Sequence, residues 1–568
     1  MCIRDRFGCP RPVGLLLACA LLSSPAAAQH SWGGIPASSY HTFANPAPTV
    51  WMPPVDEAVL LAEDATQPRN APLRYGALIP ADLSPDVAGV WETLPGGDAV
   101  WRLRVASPGA KSIGLIFSDF ELPAGAELFV FDDRMERVLG SYTHRNNDAN
   151  REFQIEPLGG DVANIEFVLP ASAASSGSLE ISEVVHDYRG VIDILMKSSD
   201  GSEGEDGNCE IDVNCSVGIN VSNTKRAVAR TLFGGSLCTG SFLNNTAGNG
   251  DPLFVSANHC GSLSNAVFHF NFELSGCGGG SINTVTASNA QTLTFDGNID
   301  FRLVRITGAI PAAANPWLAG WDKTGNTPPS TYCIQHPNGG VKKISVDNNS
   351  PGKTSLDWQI FQWDLGITAS GSSGSPLYTP QHRFIGNLFG GSSFCPTPFN
   401  DFYPRLELNG YKNKVTPFID PIGTGANVLD GMNLSGGGPP ANCDITQYGT
   451  GFGGANIGTL SSTAQAQIGT NPAVSYSGFN GPSSGLLILA GTNPTTPLLG
   501  GTVLIDFNNP FATLTAPIGG GGSGSTTVPI PNNPGFIGIT GYGQVGTNDG
   551  TAPAGWAFSN GLTFPFCN

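Results

Sequence analysis

Val255-Ser256-Ala257-Asn258-His259-Cys260, followed by Asn298-Ile299-Asp300-Phe301 and then by Gly371-Ser372-Ser373-Gly374-Ser375-Pro376, places a histidine, an aspartate and a serine in one spaced order. A serine hydroxyl is a weak nucleophile until an imidazole takes its proton. The imidazole in turn needs a carboxylate to fix its tautomer and stabilise its cation. The apolar run Leu253-Phe254-Val255 ahead of His259 reads as a buried strand that delivers the base onto a turn, and Phe301 to Ile306 after Asp300 alternates like another. Glycines flank Ser373 and permit a tight loop. There the backbone N–H groups of Gly371 and Ser373 can converge on a developing oxyanion, a contribution of about 3 kcal/mol per donor.

Working outward, Gly207 to Cys215 (GNCEIDVNC), Cys238 to Thr246 (CTGSFLNNT), Leu318-Ala319-Gly320-Trp321-Asp322, His336-Pro337-Asn338 and Gly390-Gly391-Ser392-Ser393 continue the pattern around the three residues. On these stretches, residues from Cys209 to Leu434 resemble the lysyl endopeptidase branch of the trypsin-like serine proteases. The order histidine, aspartate, serine is similarly that of chymotrypsin-like double barrels. The resemblance implies His259 as general base, Asp300 as its orienting carboxylate and Ser373 as nucleophile. It also implies the disulfides Cys209 to Cys395, Cys215 to Cys277 and Cys238 to Cys260, and an aspartate at the base of the primary specificity pocket. Counted from Ser373 without gaps, that aspartate is Asp401, and a pocket carboxylate selects a basic side chain because an apolar one would leave it without a partner. Where the family has a histidine beside the pocket, this chain has Phe389, and the stretch between Ile344 and Trp363 is shorter, so lysine alone and lysine with arginine both remain open. The digestive relatives carry an aspartate before the nucleophile that pairs with a new N-terminus on activation. Ser372 stands there instead, so activation has to proceed by another route, release of an inhibitory N-terminal segment.

Composition sets the frame for the rest. At 568 residues the chain is too long for one core. With 75 glycines, 44 prolines and short Val, Thr, Phe and Ile runs, it reads as all-β. A net charge of −18 with no basic patch argues against nucleic acid or anionic membrane as partners. Protein or peptide substrates are the expected partners. No cofactor is called for, and the absence of Cys-x-x-Cys or clustered histidines argues against a metal site.

Residues 11 to 28 run from Arg11 through Val13 to Leu22 to Pro25-Ala26-Ala27-Ala28, the anatomy of a secretory signal peptide cut near Ala28. A rival acylation site at Leu17-Ala18-Cys19 has only a short apolar run before it. Secretion makes disulfides the default for the nine cysteines that follow. Cys443 and Cys567 bracket the C-terminal region and are expected to pair, which leaves Cys333 over.

The expected organisation is thus a signal peptide over 1–28, a cysteine-free β-rich propeptide over 29–197, a trypsin-like protease domain over 198–434, a Gly/Pro linker over 435–442 and a C-terminal β-sandwich or jelly-roll module over 443–568. An accessory β-sandwich that stays attached is the other reading of 29–197. Lys197 precedes the polar run Ser198 to Asp206, an exposed linker where a lysine-preferring enzyme would cut itself and leave Ser198 as the mature N-terminus. Residues 415–568 contain no lysine or arginine, so such an enzyme would leave its own C-terminal module intact. Trp556 and nearby aromatics of that module can either stack on carbohydrate or fill its core. The rival from another functional class is a protease-like adhesin or binding protein without activity. Among enzymes, the rival is a serine protease with a different P1 preference, such as an acidic one.

Overall fold

In the computed structural model, residues 31–192 apart from 32 and 69, residues 209–434, and discontinuous stretches between 445 and 565 are described. The signal peptide, Lys197, Ser198, the linker, Cys443 and Cys567 all lie outside the described residues. What is described is overwhelmingly strand, packed around three main hydrophobic cores.

The N-terminal core lies between two sheets. Thr49–Trp51, Ala99–Ala106, Val162–Leu169, Glu127–Phe131 and Val138–Tyr142 are neighbours in one; Leu158–Gly159, Ser112–Glu121, Ser178–Asp187 and Gly76–Leu83 are neighbours in the other. Trp101, Leu103 and Val105 from the first face Ile113, Leu115 and Phe117 from the second in a single core, which makes a β-sandwich. The 8-residue helix Glu57–Asp64 lies before it, capped by the Asp56 carboxylate, which accepts the Ala58 and Val59 N–H groups.

The middle region holds two barrels, antiparallel except where Gly320–Asp322 runs parallel to Arg383–Asn387 in the second. In the first, Val285–Ser288, Val267–Phe270, Val228–Phe233, Ser236–Leu243, Leu253–Ser256, Phe301–Ile306 and Ala290–Asp296 follow one another in space. The two end strands are joined through Asn289 alone, which turns at φ 66, so the sheet's edges are brought together. The second is built from Ile211–Asp212, Lys343–Asp347, Thr331–Gln335, Pro376–Tyr378, Arg383–Asn387, Gly320–Asp322 and Val428–Leu429. A four-stranded sheet of Gly352–Lys353, Asp357–Gln362, Phe399–Pro404 and Gly390–Gly391 completes it, tied on by bridges at Val346–Leu365 and Gly386–Arg405. Helix Asn409–Ile419 closes the region and buries Tyr411, Val415 and Ile419 at i, i+4 and i+8, one stripe of a helix face.

The C-terminal region packs a five-stranded sheet (Thr446–Tyr448, Trp556–Pro565, Thr540–Asn548, Ser483–Ala490, Pro510–Ile518) against a three-stranded one (Thr459–Ser461, Ala473–Ser477, Gly524–Thr527). Its Tyr476, Phe558 and Phe564 are buried. Trp556 is half-buried and stacks on Phe558.

Candidate active site

The site forms where the two barrels meet. Strand Leu253–Ser256 is fully buried and runs into a single 3-10 turn, Asn258–Cys260, that presents His259. The neighbouring strand Phe301–Ile306 pairs with it antiparallel and starts immediately after Asp300, so both side chains leave the same end of the same ladder. Asp300 turns at φ 63, a conformation aspartate tolerates better than most residues. Its carboxylate grips His259 twice: Oδ1 accepts the His259 backbone N–H at 2.8 Å, and Oδ2 lies 2.6 Å from Nδ1. That contact requires a proton on Nδ1, and among the described residues Nε2 has no hydrogen-bond partner.

Behind Asp300 stands a second barrel residue. Asn387 donates from Nδ2 to the Asp300 carbonyl at 3.0 Å and accepts from the Tyr411 hydroxyl at 2.8 Å, while the Tyr411 ring stacks on Phe301 at 3.9 Å. A local reading of the sequence misses Asn387 and Tyr411, because these contacts span 87 and 24 residues and leave no periodic trace.

Ser373 lies on the loop before strand Pro376–Tyr378. Thr239 pins this loop, donating its N–H to the Ser373 carbonyl at 2.9 Å and its hydroxyl to the Gly371 carbonyl at 2.9 Å. Gly374 has to be glycine: its φ is +83, and a Cβ there would fall 2.2 Å from Ser256 Oγ. The amides of Ser372, Gly374 and Ser375 are engaged within the fold, whereas among the described residues no hydrogen bond occupies those of Gly371 and Ser373. Disulfide Cys238–Cys260 links the residue before Thr239 to the residue after His259, tying the anchor of the Ser373 loop to the His259 turn. Among the described residues no hydrogen bond joins His259 to Ser373. Ser372 is buried and its hydroxyl accepts the Ala369 N–H at 3.2 Å, so it takes part in the loop's own bonding and offers nothing to an N-terminal ammonium.

Beside Ser373 opens a cavity of about 210 Å³ bordered by Asn338, Thr368, Leu388, Gly390, Gly391 and Phe394. Asp401, on strand Phe399–Pro404, is fully buried against its wall. Oδ2 accepts the Trp363 indole N–H at 2.6 Å and the Thr368 hydroxyl at 2.7 Å. Phe389 is 37% exposed and adjoins Gly390 on the cavity rim.

The structure also joins Cys209 to Cys395 and Cys215 to Cys277. Cys333 is free and buried, its thiol pushed up to about 12 by burial, which keeps it protonated and inert. The sulfurs of Cys238 and Cys260 lie close to His259, but they are bonded to each other and are not metal ligands.

Part of the N-terminal region reaches into this neighbourhood. Leu73–Arg74 pairs antiparallel with Ser236–Leu237, and the Tyr75 and Gly76 N–H groups both donate to the Gly235 carbonyl. Upstream, Ala71 N–H closes a turn onto the Pro68 carbonyl at 2.8 Å, and Asn70 packs on Gly390 at the cavity rim. Arg74 is held by Asp64 at 2.7 Å and Glu63 at 3.0 Å. Tyr75, Val191 and Ile192 share a small core with Leu232, Leu237 and Val267 of the first barrel.

Two β-barrels with histidine and aspartate from one and serine from the other make this a chymotrypsin-like serine protease fold. Residues 203–404 match the family model of the lysyl endopeptidase C-terminal domain. Over 434 residues, covering 68% of this chain and 91% of the relative, the chain is 28% identical to a lysyl endopeptidase of Pseudomonas aeruginosa. The chain is a serine endopeptidase, similar in sequence to lysyl endopeptidases. Among solved structures, a Glu endopeptidase matches at 16% identity and TM-score 0.26, over 37% of this chain and 96% of its own. The serine endoprotease from Yersinia pestis matches at 15% and 0.26, over 47% and 94%. Likenesses that weak add nothing to the topology itself.

Proposed function

We propose that this protein is a secreted endopeptidase that cuts after lysine, or after lysine and arginine, with His259, Asp300 and Ser373 as its catalytic residues. The observation that carries the reading is the double grip of Asp300 on His259, which leaves Nε2, without a hydrogen-bond partner among the described residues, as the base. Ser373 Oγ attacks the scissile carbonyl carbon as its proton passes to Nε2, and Asp300 stabilises the imidazolium that forms. The carbonyl oxygen, now an anion, takes the free N–H groups of Gly371 and Ser373. Collapse of this intermediate breaks the C–N bond, and Nε2–H hands its proton to the departing amine. Water then repeats the sequence on the acyl-serine and releases the acid. Asp401 supplies the pocket charge for a basic P1 side chain, with Phe389 forming the rim.

The N-terminal region acts as a propeptide on this reading. Strand Leu73–Arg74 uses backbone positions beside the nucleophile loop that a substrate would need, and the Pro68–Ala71 turn covers the cavity rim. Self-cleavage after Lys197 would free Ser198. Fluorophosphonate labelling tests the core of the proposal: replacement of Ser373 by Ala should abolish labelling and hydrolysis, whereas Ser375→Ala keeps both. The opposite pattern would move the nucleophile. Cleavage mapping on a denatured protein mixture tests the basic P1 preference. Persistence of full-length Ser373→Ala protein, without other proteases, tests self-processing.

A further inference from the structure

We propose that Asn387 and Tyr411 are positioning residues that hold Asp300, and His259 through it, in register with Ser373. The inference rests on His259, Asp300 and Ser373 being the catalytic residues. Histidine and aspartate come from the first barrel and serine from the second, so the spacing between barrels has to be fixed by contacts that cross from one to the other. Asn387 makes such a contact from the last position of strand Arg383–Asn387. Its backbone lies opposite Pro376, and the next residue, Leu388, is bonded both ways to the Ser373 loop: the Gly374 N–H donates to the Leu388 carbonyl at 2.9 Å, and the Leu388 N–H donates to the Ser375 carbonyl at 2.8 Å. The Asn387 side chain crosses to the first barrel, where Nδ2 donates to the Asp300 carbonyl at 3.0 Å. One stretch of strand thus holds both halves of the site.

The Asn387 amide has one way to lie. A backbone carbonyl can only accept, so Nδ2 faces Asp300, and Oδ1 is left to accept the Tyr411 hydroxyl at 2.8 Å. Burial, with the Asp300 charge adding to it, holds that hydroxyl well above its ordinary value, so it keeps the proton it donates. Asn387 and Tyr411 are both wholly buried. Helix Asn409–Ile419, which carries Tyr411, also grips the turn that carries Asp300. The Tyr411 ring stacks on Phe301, Gly410 leaves no room for a Cβ beside Ile299, and Lys414 bonds at 2.8 Å to Asp296, whose carbonyl accepts the Asp300 N–H at 2.8 Å. Asp300 needs this support, because φ 63 is a conformation that an L-residue leaves when its surroundings allow. Without the Asn387 donor the Asp300 carbonyl loses this partner, and rotation of the backbone toward negative φ would swing the carboxylate off His259.

The test is steady-state kinetics on a lysyl ester, normalised to folded protein. Asn387→Leu removes the donor and the acceptor at similar volume and should lower kcat about a hundredfold, the cost of misplacing a reacting group by about 1 Å, with KM changed by less than about twofold. Tyr411→Phe keeps the ring on Phe301 and frees only the amide, so it should fold normally and lower kcat about tenfold. A double variant gives the readout that a merely structural role would not move. In Asp300→Asn, where His259 has already lost the use of Nε2 as a base, the register no longer matters, and adding either substitution should cost less than about a further twofold in kcat. Unchanged kcat in both single variants, or losses that multiply in full with that of Asp300→Asn, would overturn the inference and leave Asn387 and Tyr411 as ordinary core residues. Retention of kcat in Asp300→Asn alone would instead remove the catalytic assignment beneath, and this inference with it.

Discussion

Replacing Asp300 by Asn is the sharpest test of the catalytic geometry, because the two side chains have the same shape and the outcome follows from counting donors. Both Asp300 oxygens accept: Oδ1 from the His259 backbone N–H and Oδ2 from the Nδ1 side of the ring. An asparagine has only one acceptor. The backbone N–H can do nothing but donate, so the amide oxygen has to face it, and the NH2 group is left facing Nδ1. Nδ1 must then accept, the ring proton moves to Nε2, and Nε2 can no longer take a proton from Ser373. The backbone is indifferent to the change, since asparagine is as comfortable as aspartate at φ 63 and the residue-300 carbonyl still accepts from Asn387. The expected loss is about 10⁴-fold in kcat, or about 5.4 kcal/mol at about 1.36 kcal/mol per factor of ten, with little change in KM or in melting temperature. Steady-state kinetics on a lysyl ester, normalised to folded protein, reads it. A kcat within tenfold of the unsubstituted enzyme, in a protein that melts normally, would refute the assignment of His259 as a base that carries its resting proton on Nδ1.

Other expectations follow from single features. Leu73→Asp places a charge where Leu73 closes with Leu237 over Gly339, and should loosen the N-terminal region by about 1 kcal/mol and shorten the lag before active enzyme appears roughly fivefold; an unchanged lag would separate this strand from inhibition. Removing Cys238 and Cys260 together by alanine opens a loop of sequence separation 22, about 3.4 kcal/mol in the chain-entropy picture, readable in denaturant melts, where a cost below about 1 kcal/mol would contradict it. Burial, reinforced by Arg230 for His269 and by Lys342 for His336, holds both histidines well below their ordinary value, so the folded protein keeps them neutral where the unfolded chain protonates. Their contribution is complete above about pH 6.5 and is lost as pH falls through and below it, so melting temperature should drop toward pH 5, and less steeply in His269→Phe.

The parts of the site that were legible in the sequence are those in which chemistry and local conformation coincide. His259, Asp300 and Ser373 each follow or precede an apolar strand run, and the glycines around Ser373 mark a loop that no other residue could make, since Gly374 turns at φ +83 against Ser256. The strands Ala99–Ala106, Glu127–Phe131 and Ser483–Ala490 were legible for the same reason, a dense run of strand formers bounded by turn residues. Asp401 could be found only by counting along a resemblance. Nothing near it announces that an indole 38 residues away will bind its carboxylate, because a hydrogen bond between distant strands imposes no local period on either.

The entry of Leu73–Arg74 into the first barrel was invisible for a deeper reason. A two-residue strand between Pro72 and Tyr75 has no alternation to read, and its attachment to Ser236–Leu237 is made by backbone groups that every residue carries. An enzyme that reads one side chain in a pocket and holds the rest of its substrate by the main chain accepts almost any sequence around that residue. A segment that blocks it is free in the same way. It needs an extended backbone at the right edge and a reason not to be cut, which on the proposed propeptide role is the Ala71-to-Pro68 turn, where a substrate would stay extended, and an arginine at 74 already committed to Asp64 and Glu63. Those requirements are met by contacts between a helix, a loop and a barrel edge that come together only when the chain is folded.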